Sequence, residues 1–420
     1  MGDVNVDNLK KGMIIAEDLK DSRGRFLFRN GEVIEEKHIR IMKIWGITSV
    51  NVKGITQKDI EQDELTAFDP VLIEKAKNYV AGLFQNSKKP HDALVELKRL
   101  TLLRSVEKLS KGIALHEIQP KEKTGFTPLM TYADMTVENK LSISELVDKN
   151  VQLSSFPDIY HQIMNLLNDT RSSAVRIAEV VSKDTGLSAS ILKLVNSAFY
   201  GLPARVDSIS RAISLIGGKE LSSLAMGISV IRYFKDIPHE LVDMKQFWLH
   251  SIACGVFARI LANRKVDWAE EQYFIGGLLH DIGRLILFKA LPKTTTQTIR
   301  LSIEKGIPLF EAEKEILGYD HSEVAGLMLN RWNFPKSLHT MIRYHHAPLL
   351  SKSPIEPSII YVSNILAKAF KFGNSGNMII PPFSGEAWDV LELPVSILSH
   401  AIQQADRQVN EILRAFHLHE

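Results

Sequence analysis

The stretch that decides the fold is AEEQYFIGGLLHDIGRLILFKAL, residues 269–291. Its apolar residues recur at helical spacing, and it carries His280 and Asp281 near its middle. The same spacing continues almost throughout the chain after residue 141. It predicts further helices at residues 244–263, 321–332, 335–346, 357–372 and 394–416. Because no alternating strand pattern interrupts these segments, we predict a mainly α protein whose largest domain is all-α.

Upstream of this region, residues 1–56 predict a small α/β module. Apolar stretches at 13–16, 25–28 and 49–52 are separated by glycine-containing turns, and residues 35–45 carry one helical face. Residues 57–118 predict a helical connector of two helices broken near Lys89-Pro90, and residues 119–140 predict a linker. We expect the all-α domain to occupy residues 141–350, with C-terminal helices at 351–420 packing on it.

Composition excludes several classes of protein. The 420 residues suffice for two or three domains, and 45% apolar content excludes a disordered chain. A balance of 51 basic against 49 acidic residues gives no overall field that would attract nucleic acid or a membrane. No apolar run approaches the about 20 residues that cross a bilayer. We therefore expect a soluble cytoplasmic protein with neither a membrane nor a nucleic-acid partner.

Five histidines are predicted to converge. If residues 264–268 form the turn of an antiparallel hairpin, His250 and His280 lie within about 3 Å of the same height, given the α-helical rise. A second hairpin that turns at residues 333–334 does the same for His321 and His345, and His346 follows directly.

Such a cluster has the chemistry of a metal site. Imidazole nitrogen and carboxylate oxygen together suit Fe, Mn, Zn or Mg, and a mixed set leaves positions where bound water can become nucleophilic. On one helix, adjacent His280 and Asp281 diverge by about 100°, so both reach one ion only if it lies beside the helix. The candidate ligands are His250, His280, Asp281, His321, His345 and His346. The alternative interpretation is a set of buried polar residues that hydrogen-bond one another.

Several motifs in order resemble a known family. GLLHDIG at 277–283 resembles the His-Asp signature of the HD phosphohydrolase superfamily. FWLH at 247–250, GYDH at 318–321, RWNFP at 331–335 and YHHAP at 344–348 narrow the resemblance to its HDOD branch, as do KDTGL at 183–187 and LKLVNSAFYG at 192–201. Residues 4–54 are similar to the small module that precedes some HD-GYP domains.

The resemblance implies an all-α HD-type fold and a role as a bacterial signalling module, since the HDOD branch is generally regarded as non-hydrolytic. Two departures from active HD enzymes agree with that role. Asn364 stands where a metal-ligating Asp would be expected, and Arg284 stands where HD-GYP enzymes have Lys. No residue is assigned a catalytic role with certainty, and Asp281 and Arg284 are the candidates.

Two functional hypotheses follow. The leading one is a signal-transduction protein whose HDOD domain binds a ligand or a protein, with other signalling proteins, a second copy or a nucleotide as candidate partners. The alternative is a metal-dependent phosphohydrolase or phosphodiesterase, in which Arg284 or Arg343 would stabilise the developing phosphate charge. A divalent metal is the candidate cofactor in both.

Two further features leave alternatives open. Asn196 and Ser197 interrupt an apolar helix, either as a ligand contact or as side chains bonded to neighbouring backbone. Cys254 lies four residues after His250 on the same helical face, either as a soft metal ligand or as a small buried residue.

Overall fold

The computed structural model describes most of the chain. The described residues are 2–6, 9–20, 26–44, 47, 49–54, 65–115, 141–150, 162–163, 165–166, 173–197, 199–202, 204–234, 237, 241–263, 270–332, 334–376 and 379–416. The predicted linker at 119–140 and the predicted turn at 264–268 lie outside these residues.

The described part of the chain is mainly helical, as predicted, with a small N-terminal β module. The strands are β1 (Gly2–Asn5), β2 (Leu19–Lys20), β3 (Phe26–Phe28) and β4 (Ser49–Val52). The helices are α1 (Glu36–Ile44), α2 (Pro70–Leu83), α3 (Asp92–Ser110), α4 (Ile143–Asn150), α5 (Ala174–Ser182), α6 (Thr185–Val195), α7 (Ile209–Ile216), α8 (Gly218–Tyr233), α9 (Met244–Ala262), α10 (Glu270–Leu279), α11 (Ile282–Ala290), α12 (Pro292–Lys305), α13 (Leu309–Leu317), α14 (His321–Arg331), α15 (Lys336–Arg343), α16 (Ile355–Ala369), α17 (Gly385–Asp389) and α18 (Ile397–Ala415).

In the N-terminal module, β1 pairs antiparallel with β4 and β2 pairs antiparallel with β3. The apolar stretch at 13–16 forms isolated bridges rather than a strand of its own, since Ile14 pairs with Val33 and Ile15 with Val52. The buried core of this module consists of Val4, Val6, Leu9, Ile15, Phe28, Ile34, Met42, Val50 and Val52. The predicted helix at 35–45 is confirmed by α1, and Gly31 has the left-handed φ of 89° that its turn requires.

The chain divides into two compact units. One contains Met1–Gly82, His91–His116 and Pro394–His400, and the other contains Leu83–Pro90, Glu117–Leu393 and Ala401–Glu420. The two helices predicted around Lys89-Pro90 are confirmed as α2 and α3. None of the described helices combines the length and the apolar composition needed to cross a bilayer.

The larger unit holds the predicted all-α region, and several of its helices begin at side-chain caps. Asp184 accepts a hydrogen bond from the Leu187 backbone N–H at 2.8 Å and so starts α6, whose apolar stripe is buried. At the other end of this unit, Asp320 accepts from the Glu323 N–H at 3.0 Å and starts α14 at His321. The cap therefore fixes where the His321 side chain emerges.

Candidate metal centre

Helices α9 and α10 pack almost backbone to backbone, and this contact places His250 beside His280. A Cβ added at Gly277 would lie 2.5 Å from the Gly255 nitrogen, and one added at Gly255 would lie 2.6 Å from the Phe274 carbonyl oxygen. Only glycine fits at these two positions without a shift of backbone. The ring centroids of His250 and His280 are 5.3 Å apart, as the hairpin prediction requires.

The single helix predicted over residues 269–291 is wrong, because the chain turns at His280 and Asp281. Helix α10 ends at Leu279 and α11 begins at Ile282. Periodic apolar residues continue across the break, which is why the pattern conceals it. The turn lets adjacent His280 and Asp281 face one spot, so the expected divergence of about 100° on a continuous helix does not apply.

A third close approach brings α11 to α14. A Cβ added at Gly283 would lie 2.0 Å from the His321 carbonyl oxygen. His321, at the start of α14, is oriented by Glu313 of α13, whose Oε2 accepts from the His321 backbone N–H at 2.9 Å and lies 2.5 Å from Nδ1. Glu313 is 1% exposed, and sequence reasoning missed it because one glutamate in an amphipathic helix carries no distinguishing pattern.

The helix predicted at 335–346 ends early, and both final histidines lie in the turn that follows α15. On the predicted continuous helix, the neighbouring His345 and His346 would point apart, whereas in the turn both rings face the cluster. The His346 Nε2 lies 2.9 Å from the His321 Nε2, and its ring stacks on Phe310 with centroids 4.1 Å apart. His345 is fully buried beside it.

Asp281 lies at the middle of the cluster, and each of its carboxylate oxygens faces a different pair of histidines. Its Oδ2 is 3.6 Å from the His250 Nε2 and 3.2 Å from the His280 Nε2. Its Oδ1 is 2.9 Å from the His321 Nε2 and 3.9 Å from the His345 Nε2. Two sets of ligand atoms are therefore close enough to hold an ion, one formed by His250, His280 and Asp281, the other by Asp281, His321, His345 and His346.

The hydrogen bonds of the imidazoles fit a metal centre. His280 and His345 present their Nδ1 atoms to the carbonyls of Gly277 and Ile342, both at 2.7 Å, which leaves each Nε2 directed at the cluster. Outer hydrogen bonds of this kind orient metal-ligating histidines. Among the described residues, the inward atoms form no hydrogen bonds of good geometry: both nitrogens of His250, the Nε2 atoms of His280 and His345, and both carboxylate oxygens of Asp281. Buried polar atoms in this state fit a cation among them.

The electrostatics of the cluster follow from burial and from Asp281. Burial and the neighbouring histidines lower the pKa of His250 and His345 well below the ordinary value. Burial also disfavours charge on His280, but Asp281 outweighs it and raises the pKa of His280 to about 10. Although burial opposes its ionisation, Arg284 and His280 hold the pKa of Asp281 well below the usual range, so it is a carboxylate.

Two buried cations accompany the cluster. Arg284 is 1% exposed, and its Nη1 donates to the Ser375 carbonyl at 2.9 Å and to the Ser375 Oγ at 2.7 Å while lying 3.4 Å from the Asp281 Oδ2. Lys368 of α16 is also buried and donates to the Ile379 carbonyl at 3.3 Å. Burial and Arg284 lower the pKa of Lys368 to about 7, against the attraction of Asp281 and Glu313.

Asn364 lies one helical turn before Lys368 and is 2% exposed. Its Oδ1 has no hydrogen-bond partner among the described residues. An amide is a weaker ligand for a divalent ion than a carboxylate. Lys368 and Ser375 were not singled out in the sequence, because a lysine near a helix end and a serine in a loop are ordinary surface residues.

The other polar residues noted in the sequence have structural roles. The Asn196 Nδ2 donates to the carbonyls of Leu192 and Val206, both at 2.7 Å, and the Val206 N–H donates to the Asn196 Oδ1 at 2.7 Å. Ser197 donates to the Leu194 carbonyl at 2.6 Å, so backbone bonding is confirmed for both. Cys254 is buried, and its thiol faces the Ile360 carbonyl at 3.9 Å.

Comparison with known proteins agrees with this arrangement. Residues 153–348 match the HDOD domain family. An uncharacterised protein of Treponema pallidum (strain Nichols) is 28% identical over 275 residues, which are 65% of this chain and 50% of that protein. The chain thus spans about half the length of this relative.

Solved structures share the fold. A candidate phosphohydrolase from Shewanella amazonensis SB2B superposes with a TM-score of 0.52 at 21% identity, over 64% of this chain and 97% of that one. A candidate signal-transduction protein from Marinobacter aquaeolei VT8 gives a TM-score of 0.53 at 20% identity, over 76% of this chain and 72% of that one. Identity this low shows the fold alone. The family match, together with the sequence motifs and the His/Asp cluster described above, shows that residues 153–348 of this chain form an HDOD domain.

Proposed function

We propose that this chain is a signal-transduction protein whose HDOD domain acts as a regulatory binding module and not as a hydrolase. The observation that carries the proposal is the closure of the centre. His250, His280, Asp281, His321 and His345 are each 0% exposed, so no face of Asp281 or of these four imidazoles is open to a phosphate ester. His346 is half-buried at the edge of the centre. A hydrolytic metal site needs an open position for water and substrate.

Arg284, the cation that could bind a phosphate, directs its N–H groups into the protein and not toward a substrate. Arg284 directs its donors at Ser375 and lies beside Asp281, so its guanidinium is occupied inside the protein. Asn364 in place of a carboxylate supports the same conclusion, because it removes a negative oxygen that would hold a divalent ion.

An ion at this centre would be held by His250, His280 and Asp281, or by Asp281, His321, His345 and His346. A bound divalent ion supplies positive charge and can polarise an oxygen ligand. For the regulatory function, the relevant property is which parts of the chain carry the ligand atoms. They come from α9, from the turn between α10 and α11, from the start of α14 and from the turn after α15.

Because four separate parts of the domain meet at Asp281, whatever occupies the centre favours the helix packing in which these parts converge. A ligand shifts a conformational equilibrium only by binding one state better than another. When these parts converge on Asp281 the ligand atoms are together, and when the parts separate the atoms are apart. The two states therefore differ in affinity for an occupant of the centre. Another signalling protein or a second copy of the chain would recognise the resulting packing. A nucleotide is a candidate small ligand elsewhere on the domain, because the closed centre does not admit a phosphate ester. We also propose that residues 1–56 and 57–118 regulate or multimerise the HDOD domain.

One observation favours the alternative function, a metal-dependent phosphohydrolase. The two donor groups share Asp281, so the cluster could hold two ions bridged by one carboxylate. In that function the domain would have to open, since a substrate must reach atoms that are now buried.

A turnover assay separates the two functions. Wild-type protein supplied with Mn²⁺, Fe²⁺ or Zn²⁺ is assayed on bis(p-nitrophenyl) phosphate and on cyclic dinucleotides, beside Asp281→Asn and His280→Ala. We expect wild type to show no turnover above the level of the two variants. Turnover that is present in wild type and lost in both folded variants would establish the hydrolase instead.

A further inference from the structure

Arg284 and the carboxylates of the centre form a charge arrangement that the regulatory function does not by itself explain. Its Nη1 lies 3.4 Å from the Asp281 Oδ2, and its Nε lies 4.0 Å from the Glu313 Oε1. All three residues are at most 1% exposed. The guanidinium charge is therefore shared between the two buried carboxylates of this region.

The oxygen that Arg284 approaches is also the oxygen used by one donor group. The His250 and His280 Nε2 atoms lie 3.6 and 3.2 Å from the Asp281 Oδ2. An ion held by His250, His280 and Asp281 would consequently lie next to the guanidinium. In a buried site with little water to screen it, like charges at such short range repel strongly.

Hydrogen bonds prevent Arg284 from turning away to relieve this repulsion. Its Nη1 donates to both the carbonyl and the hydroxyl of Ser375. The segment that carries Ser375 is itself fixed on α9, since the Asn374 N–H donates to the Gln246 carbonyl at 3.0 Å. A Cβ added at Gly373 would lie 2.5 Å from the backbone nitrogen of His250, so this segment lies directly against α9 at His250.

We propose that Arg284 is a resident countercation that competes with a divalent ion for Asp281 and so keeps the metal affinity of this centre low. The inference rests on the proposed regulatory function, in which the centre is closed and the charge of its carboxylates is neutralised by the protein's own cation. It identifies Arg284 as the residue that sets whether the centre responds to metal.

The test is an affinity measurement with Mn²⁺ alone. Protein is freed of metal by dialysis against a chelator, and bound Mn²⁺ is measured by electron paramagnetic resonance during a titration at fixed pH. We expect Arg284→Met to bind Mn²⁺ at least tenfold more tightly than wild type, because the guanidinium charge 3.4 Å from the Asp281 Oδ2 is then absent. Arg284→Lys, which retains a charge, should stay closer to wild type than Arg284→Met.

Two controls locate the effect. Arg331→Met removes an arginine that pairs with Asp148 and is 46% exposed, and it should leave Mn²⁺ affinity unchanged. Adding His280→Ala to Arg284→Met should abolish the gain, because the tighter site would lose a ligand. Equal or weaker binding by Arg284→Met would overturn the proposal.

Folding is followed in parallel by circular dichroism, since Arg284→Met leaves buried carboxylates without their arginine. If this variant unfolds without metal, Mn²⁺ should restore its melting transition, and should fail to do so in the double variant with His280→Ala. Unfolding that Mn²⁺ does not reverse would overturn the proposal. The turnover assay is independent of both readouts, so failure of the regulatory function would be recognised separately.

Discussion

Asn196 and His250 are both polar residues among the apolar helices of the larger unit, Asn196 at the C-cap of α6 and His250 within α9, yet their surroundings differ completely. Asn196 forms hydrogen bonds to Leu192 and Val206 through both ends of its amide. His250 is fully buried, and neither of its ring nitrogens has a hydrogen-bond partner among the described residues. The comparison teaches that a polar residue in an apolar helix becomes a candidate functional residue when its polar atoms lack partners.

The largest expected effect is at Asp281, which both donor groups share. Asp281→Ala should lower the free energy of unfolding by about 3–5 kcal/mol, because it removes the nearer of the two carboxylates that neutralise the buried Arg284. Chemical denaturation of metal-free protein measures this loss. Asp281→Asn, which retains the shape, should lose less. A loss below 1 kcal/mol for Asp281→Ala would show that the centre is not held together by its charges.

A smaller loss is expected at Asn196. Asn196→Ala removes the partners of the Val206 N–H and carbonyl, and Val206 is 2% exposed. Leaving buried backbone groups unpaired should lower the free energy of unfolding by about 1–3 kcal/mol. Asn196→Asp is the matched control, because it retains the acceptor for the Val206 N–H and loses only the donors. If Asn196→Ala were neutral, Asn196 would not have the structural role assigned to it.

The smallest effect is expected at His250, and it tests the comparison from the other side. His250→Leu replaces a buried ring without hydrogen bonds by an apolar side chain, so metal-free stability should change by less than about 1 kcal/mol. His345→Leu is the matched control and should lose more, since it leaves the Ile342 carbonyl without its partner. Equal losses in thermal unfolding of the two variants would contradict this assignment.

The sequence allows the convergence of the histidines to be predicted, because helix length alone places residues of a hairpin at a common height. Neighbouring residues could not be placed so well. The turn at His280 and Asp281 is set by contacts that no periodicity encodes, including the close approach of Gly283 to the His321 carbonyl. His346 joins the cluster because α15 ends at Arg343, three residues before the apolar pattern suggests.

The residues that surround the ligands were the least predictable. Glu313 and Ser375 belong to the site only through tertiary contacts with His321 and Arg284. Arg284 was a candidate for phosphate binding from its sequence position, and its hydrogen bonds inside the protein are evident only in the folded chain. Local pattern thus identifies candidate ligand residues, whereas the balance of charge around them depends on how distant segments pack.

Hydrogen exchange tests most directly whether the centre regulates helix packing. Helix α8 carries no ligand but packs on α10, since a Cβ at Gly227 would lie 2.9 Å from the Ile275 Cδ1. We predict that saturating Mn²⁺ slows amide exchange in α8 of wild type and has no effect on α8 in Asp281→Asn. Unchanged exchange in α8 of Mn²⁺-saturated wild type, or the same slowing in the variant, would contradict a regulatory role for this centre.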